Sequence, residues 1–395
     1  MRIRLFNASS HNRTVIYFIN KNRRNRPLIL LHAASAGEFE QLVPILNRLD
    51  RTRFFILLSL MSPTIFSKQK KTDLADAVVY HPMDFWWLAF LFFQRIKPNV
   101  YVVNRHDIWP SHLKIAKLFN IKTILINANL HEKSLRLIPI FRTFNQFVFN
   151  QFDLICTGTE RLKKRLINLV PEHKIHVTGD TRVNRVIERM NKTELRTEFE
   201  HYSSAKNIIL GSIIESDYDV VFKGLKKTFP AGQVDLEKKN VKLIIVPHEP
   251  DQPTITGIIK ILDKWRVGWI PLSDFDGTKI EPALIVDEVG LLADIYKIGK
   301  CSYVGAGFGA GVHSVIEPAI YGCPVSFGPN IHILDEAIDL HESDLGTMVK
   351  SSKDFIKFLT ILDDDEKYEE TADQLKAFVQ NRTCEIHEII QAITP

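Results

Sequence analysis

Apolar, β-branched runs of four to seven residues recur along the chain, each followed by a stretch of helical length. That alternation is the pattern of a parallel sheet covered by helices. In the first half the runs are LILL (28–31), FFILLSL (54–60), AVVY (77–80), VYVV (100–103), TILIN (123–127), LICT (154–157) and IHVT (175–178). They predict one doubly wound domain over residues 1–190. A polar, charged stretch from Asn191 to Lys206 interrupts the pattern, which restarts with IILG (208–211), LIIVP (243–247), ALIVD (283–287), SYVGA (302–306) and PVSFG (324–328). These predict a second such domain over 205–395, with the linker near 185–206. The tail after Asp363-Asp364-Asp365-Glu366 reads as helical, with apolar residues at Leu375, Phe378, Val379, Ile386, Ile389 and Ile390. Its helix is expected to pack back toward the N-terminal domain. The expected fold class is therefore α/β, two doubly wound Rossmann-like domains facing a cleft, where ligands of such sheets bind at the strands' carboxyl ends. Fold alone does not name the chemistry.

A length of 395 residues exceeds one ordinary core, in keeping with two domains. The four cysteines, Cys156, Cys301, Cys323 and Cys384, lie far apart without a CxxC pair. They fit buried thiols in a reducing compartment and give no metal framework, so neither a metal nor a cofactor is expected. No signal peptide is apparent. The stretch FWWLAFLFF (85–93) has nine apolar residues, against the roughly 20 that a spanning helix needs. It fits either a buried helix or, being apolar all round, a surface that touches something greasy.

Charge adds an asymmetry to this picture. The net charge is +5, but residues 1–190 hold 30 Lys+Arg against 13 Asp+Glu, a balance of +17, and the remainder 21 against 33, a balance of −12. The first half should attract an anionic surface or ligand. No nucleic-acid-binding signature accompanies the charge, so nucleic acid is not expected as a partner, whereas an anionic membrane or phosphorylated lipid fits.

Three segments carry candidate chemistry. In HAASAGEFEQ (32–41), Glu38 follows Ser35 and Gly37 at the expected carboxyl end of the first strand. The glycine tolerates a sharp turn and a close ligand, and the carboxylate can take a proton from an incoming hydroxyl. The same acid also fits a helix N-terminus, where it complements the macrodipole. In NRHDIWPS (104–111), Arg105, His106 and Asp107 offer a cation, a titratable ring and a carboxylate at the end of another strand, or else a polar loop before Pro110 at helix position N1. The third, YVGAGFGAGVHSVIEPAIYGCPVSFGP (303–329), has Gly305, Gly307, Gly309 and Gly311 ahead of a helix expected from about His313. Backbone N–H groups and a helix N-terminus there suit an anion, and Glu317 suits ribose hydroxyls. It is neither a Walker loop nor a GxGxxG turn. GSIIESD (211–217) with Ser212, and PHEP (247–250) with His248 and Glu249, follow two strands of the second half. No ligand spacing for zinc appears.

Together these motifs resemble one family, the Kdo transferases, which move 3-deoxy-D-manno-oct-2-ulosonic acid (Kdo) from CMP-Kdo onto a lipid A precursor. HAASAGEFEQ is similar to the family's His-Ala-x-Ser-x-Gly-Glu segment, YHPMD and NRHDIWP to its LPLD and ETELWP region, and TGDTRVNRV to its TGN/TGD segment. PHEP resembles its proline-histidine loop, and GFGAGVHSVIEPAIYGCPVSFGP its signature ending in PV-x-FGP. The resemblance runs from about residue 28 to 340. It implies a GT-B fold, inversion at the donor's anomeric centre and no divalent metal. It also implies Glu38 as general base with Asp107 beside it, and Ser35, Gly37 and Arg105 at the acceptor. Ser212, His248, Glu249, Gly309, Gly311, His313, Ser314 and Glu317 would hold the CMP half of the donor. Two positions depart from the pattern: Arg105 stands where ETELWP has its first acid, and Ser314 where an Asn is usual. The implied setting is peripheral attachment to the cytoplasmic face of the bacterial inner membrane. The rivals are a GT-B enzyme using another nucleotide sugar and an inactive paralogue that binds lipid or membrane.

Overall fold

The computed structural model describes residues 2–132, 134–191 and 194–395. Seven strands form the first sheet: β1 Leu28–Ala33, β2 Phe55–Leu60, β3 Ala77–Tyr80, β4 Val100–Asn104, β5 Lys122–Ala128, β6 Leu154–Thr157 and β7 Ile175–Val177. They lie in the order 3-2-1-4-5-6-7, and every paired neighbour is parallel. Strands covered by helices on both faces are apolar at successive positions rather than alternate ones. Thus β1, β2 and β4 are buried at every residue, which is why unbroken runs marked them in the sequence.

The second sheet comprises β8 Lys206–Ile213, β9 Val241–Pro247, β10 Trp269–Pro271, β11 Ala283–Ile285, β12 Gly299–Val304, β13 Val325–Phe327 and β14 Gly346–Met348. Its order is 10-11-9-8-12-13-14, again parallel throughout. The sequence reading lacks β10 and β14. Both are three-residue edge strands, too short to show an apolar run.

The chain divides into two compact units, residues 1–185 with 382–395 and residues 186–381. The boundary read from sequence left all of 205–395 in the second domain, whereas the last 14 residues count with the first unit. Their seat is specific. Gly179, at φ +83°, passes so close that a Cβ would stand 2.6 Å from the Thr383 carbonyl oxygen. Asn184 pairs with both backbone groups of Cys384, at 3.1 and 2.7 Å. Ile386, Ile389 and Ile393 of the helix Ile386–Ile393 then enter the core beside Leu42 and Ile45. At the opposite edge of that sheet, Asn12 holds the amide and carbonyl of Tyr80 and His11 the carbonyl of Val78, covering backbone groups of β3 that no strand pairs.

Candidate functional site

In the first sheet the strand order reverses between β1 and β4, the crevice where open α/β sheets take ligands. Glu38 follows β1 and Arg105–Asp107 follow β4, so the two clusters singled out in the sequence flank one switch point. Ser35 caps the helix Ala36–Leu46 by accepting the Glu38 N–H at 3.3 Å. Glu38, at the third helical position, turns its carboxylate back to accept the Ala34 N–H at 2.8 Å. This is close to a capping box. The helix-capping reading of this acid is therefore what the hydrogen bonds show. Gly37 differs from expectation: it lies inside the helix without positive φ, and a Cβ there would meet nothing within 4 Å. The glycine faces open space and makes no sharp turn.

Beneath Glu38 lies a buried amide ladder. Asn104 donates to the Glu38 carbonyl (2.7 Å) and to Gln41 (3.1 Å), and Asn127 donates to Asn104 (2.8 Å) and Thr181 (2.8 Å). The Glu38 carboxylate is 8 % exposed as a residue. Burial pushes its pKa above the usual carboxylate range and the Asp107 charge adds to this, while the Ala34 N–H, His32 and the His106 N–H pull it back only in part. A base poised above its ordinary pKa is what general-base chemistry near neutrality needs.

Asp107 does not stand free. Its carboxylate meets His32 Nε2 at 2.6 Å. Burial works against the Asp107 charge, but the His32 hydrogen bond and charge outweigh it and hold the group below its usual range. Arg105 occupies the left-handed region at φ +60° and donates Nε–H to His106 Nε2 at 3.1 Å. Arg136, which the sequence reading did not single out, donates to the His106 carbonyl at 2.9 Å. Burial and then the charges of Arg105, Arg136 and His131 push His106 down to about 4, so its ring is neutral and can accept from Arg105. The loop after β4 thus brings the Asp107 charge and the His106 N–H to Glu38, while Arg105 and Arg136 engage His106.

In the second sheet the order reverses between β8 and β12. Ser212, at φ +51°, and the loop Gly305–Gly311 meet there. A Cβ on Gly305 would stand 2.2 Å from the Ser212 carbonyl oxygen, and one on Gly307 2.5 Å from the Gly328 nitrogen. Gly309 packs on Ile214, and Gly311, at φ +138°, on Ile333. The sequence suggested that these glycines free N–H groups for an anion. Instead the N–H groups of Gly305, Gly309, Gly311 and His313 are bonded to carbonyls of Gly211, Ala306, Ala306 and Gly305. The glycines let backbones pack closely. Nor does a helix begin at His313: it runs Ile316–Ile320, with Glu317 in its only full turn.

What the loop presents is side chains. His248 and His313 stack with ring centroids 4.4 Å apart, and burial and the His248 charge lower the His313 pKa. His313 Nε2 and Ser314 Oγ are buried without a hydrogen-bond partner in the chain, an arrangement that costs free energy unless a ligand completes it. His248 and Glu249 line a cavity of about 520 Å³ with Ile213, Ile214 and Tyr218, within the size range of small-molecule sites. Asp217 went unnoticed in the sequence. It is fully buried and accepts Tyr303 O–H (3.0 Å), Ala306 N–H (2.8 Å) and Ile214 N–H (2.9 Å), tying the glycine loop to the strand-end turn. Its only signal was an acid six residues after a predicted strand. Among the described residues no group of three or more His, Cys, Asp or Glu is placed to hold a metal ion.

The first unit also exposes apolar side chains. Phe85, Trp86, Trp87 and Leu91 lie outward on and just before the helix Trp86–Ile96, whose Ala89, Phe92, Phe93 and Ile96 are buried. In the helix Pro139–Phe149 the usual distribution is partly inverted: Asn145 is buried while Ile140, Phe141, Phe144 and Phe147 are exposed. The sequence reading did not mark this second helix, because its apolar spacing reads as a core-facing stripe. Among the described residues no helix is long and apolar enough to cross a membrane.

Two doubly wound parallel sheets, each with polar side chains at its switch point, define the GT-B class of fold. The structure of UDP-GlcNAc 2-epimerase from Neisseria meningitidis bound to UDP-GlcNAc is similar, with a TM-score of 0.65 at 14% identity over 93% of this chain and 100% of that one. At such identity the likeness speaks to fold alone. The sequence model of the family described as 3-Deoxy-D-manno-octulosonic-acid transferase (kdotransferase) matches residues 9–185. A 3-deoxy-D-manno-octulosonic acid transferase of Chlamydia muridarum (strain MoPn / Nigg) is 25% identical over 366 residues, 90% of this chain and 83% of its own length. One of Aquifex aeolicus (strain VF5) is 26% identical over 357 residues, 88% and 89%. Over most of its length the chain is thus similar to Kdo transferases, which are glycosyltransferases.

Proposed function

We propose that the chain is an inverting transferase that moves Kdo from CMP-Kdo to a phosphorylated lipid A precursor in lipopolysaccharide biosynthesis, attached peripherally at the cytoplasmic face of the inner membrane. The observation that carries this reading is Glu38: a buried carboxylate with a raised pKa, fixed by the Ala34 N–H at a switch point, with open space at Gly37. In the reaction, Glu38 takes the proton of the acceptor hydroxyl as that oxygen bonds to the anomeric carbon of Kdo. The bond from that carbon to the phosphate oxygen breaks, and CMP leaves with the electron pair. Ser35 and Gly37 border the acceptor, and the cationic loop of Arg105, with His106 and Arg136, suits an oxyanion on it. Asp107 acts beside Glu38.

The second unit holds the donor. His313 Nε2 and Ser314 Oγ, both lacking partners in the chain, suit the leaving phosphate without a metal. Ser212, Gly309 and Gly311 border it, Glu317 takes ribose hydroxyls, and the cavity at His248 and Glu249 takes the base. For the membrane, the support is the +17 balance of residues 1–190 together with the outward aromatics of the first unit, the combination that binds anionic bilayers.

The test is transfer from freshly generated CMP-Kdo to a tetraacylated glucosamine disaccharide bisphosphate, followed by mass spectrometry of the lipid. Product heavier by one or more Kdo residues is expected. No product under conditions where an authentic Kdo transferase works would direct attention to another nucleotide sugar or to a binding role.

A further inference from the structure

His32 lies wholly inside the first unit, on β1, six residues before Glu38. Its Nδ1 is 3.1 Å from the carbonyl oxygen of Ser59, and its Nε2 is 2.6 Å from Asp107 Oδ2. A carbonyl can only accept, so Nδ1 carries a hydrogen. A second hydrogen must then lie between Nε2 and Asp107. Either the ring is an imidazolium beside a carboxylate, or a neutral ring faces a protonated acid. The surroundings favour the first. The His81 ring lies against His32 with centroids 3.9 Å apart and planes 33° apart, and a neutral aromatic face attracts a cation. His81 Nδ1 is engaged by Ser59 Oγ at 2.7 Å while its Nε2 has no partner in the chain, so His81 is the neutral member. His112 lies 4.4 Å beyond it, and its Nδ1 meets Asp84 at 3.1 Å. The strand pairing and the stacked rings fix His32 on three sides.

Resting on the proposed transfer, we infer that His32 is a positioning residue: a buried imidazolium, fixed between Ser59 and Asp107, that holds and neutralises Asp107 beside Glu38. The groups facing this pair are Glu38 from the helix after β1, His81 and Asp84 from the segment after β3, Tyr101 from β4, His106 in the following loop, His112 from the helix Pro110–Leu118, and Arg136. Of these, His81 and His106 are held neutral by burial. Asp107 raises the Glu38 pKa and His32 lowers it. With the imidazolium removed, the Asp107 charge would act on Glu38 uncompensated, and Glu38 would protonate at higher pH.

The test is made on the full chain labelled with ¹⁵N-histidine and ¹³C-glutamate, in wild type, His32→Gln and the double variant His32→Gln/Asp107→Asn. Nitrogen spectra at pH 7.5 should contain one doubly protonated imidazole that is missing in His32→Gln. The Glu38 carboxyl, assigned through Glu38→Gln, should titrate about one pH unit higher in His32→Gln and return toward wild type in the double variant. The acid limb of kcat/KM should move with it. A merely structural role would lower kcat and leave both midpoints in place, and that result, or a His32 ring with a bare nitrogen at pH 7.5, would overturn the inference. Neither resonance depends on turnover. Failure of the chain to transfer Kdo would therefore count against the function alone, provided the Glu38 midpoint still shifts.

Discussion

The two units share one architecture and differ in what they leave uncovered. Residues 1–190 are basic by 17 charges and the rest acidic by 12. Among the described residues, fifteen of the nineteen exposed large apolar side chains lie in the first unit, from Tyr17 to Ile167, against Val234, Ile280, Val289 and Ile333 in the second. In the proposed reaction the soluble nucleotide sugar requires no greasy surface, whereas the acylated, phosphorylated acceptor does. The switch points differ in the same way. That of the first unit holds a buried carboxylate, Glu38, whose pKa burial and Asp107 raise; that of the second holds His313 Nε2 and Ser314 Oγ buried without a partner in the chain. Both have non-glycine residues in left-handed backbone, Arg105 and Asn127 in one, Ser212 and Ala306 in the other, and such conformations concentrate where function over-determines the chain.

The sharpest way to break this division of labour is to remove one carboxylate from each unit. Glu38→Gln should lower kcat by at least a hundredfold at saturating donor and acceptor, the scale of a lost general base, with little change in CMP affinity measured by calorimetry. Asp217→Asn should do the reverse. It weakens a buried carboxylate that organises three donors, and a loss of about 2 kcal/mol would raise the KM for CMP-Kdo roughly thirtyfold while kcat falls far less. Equal effects of both variants on kcat would sink the assignment of chemistry to one unit and nucleotide to the other.

How much of this was legible beforehand follows from what a one-dimensional pattern can carry. Twelve strands stood out because burial on both faces makes them unbroken apolar runs, and β10 and β14 did not because three edge residues cannot form one. Glu38 and the Arg105–Asp107 loop were found from their position after strands, and the sheet order then set them at one switch point. The His32–His81–His112 stack was invisible, since its members come from three separate segments and each reads alone as a core histidine. Asp217 was hidden for the same reason. The glycine loop misled in a different way: glycine marks close approach, but the sequence does not say whether a ligand or Gly328 is what approaches.

The surface contrast can be tested more gently. Ile140 and Phe144 are 80 % and 57 % exposed on their helix, so the paired change Ile140→Ser/Phe144→Ser should leave folding intact. Sedimentation with vesicles rich in anionic lipid should show binding weakened about fivefold, a loss near 1 kcal/mol. The equivalent change in the second unit, Val234→Ser/Val289→Ser, should leave binding unaltered. Equal losses would mean that the apolar side chains do not distinguish the two units as membrane faces. A smaller effect is expected at Arg105. Its backbone at φ +60° favours glycine, so Arg105→Gly should stabilise the fold by about 1 kcal/mol in denaturant titration while weakening use of a phosphorylated acceptor.

The smallest expected effect separates the two carboxylates by stability instead of rate. The Glu38 pKa is raised, chiefly by burial, so the folded state holds this proton at higher pH than the unfolded chain does. The resulting stability is complete below the unfolded carboxyl pKa and is lost as pH rises through the folded one. Glu38→Gln keeps an oxygen for the Ala34 N–H and removes the buried charge. Its Tm should exceed that of wild type by about two to four degrees at pH 8, and the gap should close toward pH 4, where wild-type Glu38 is protonated. Asp217 accepts from three donors, so Asp217→Asn, which puts a donor in place of one acceptor oxygen, should lower Tm at pH 8. If Glu38→Gln instead lowers Tm at pH 8, the carboxylate belongs to helix capping like any other N-terminal acid, and the buried, raised carboxyl that distinguishes the first unit from the second disappears.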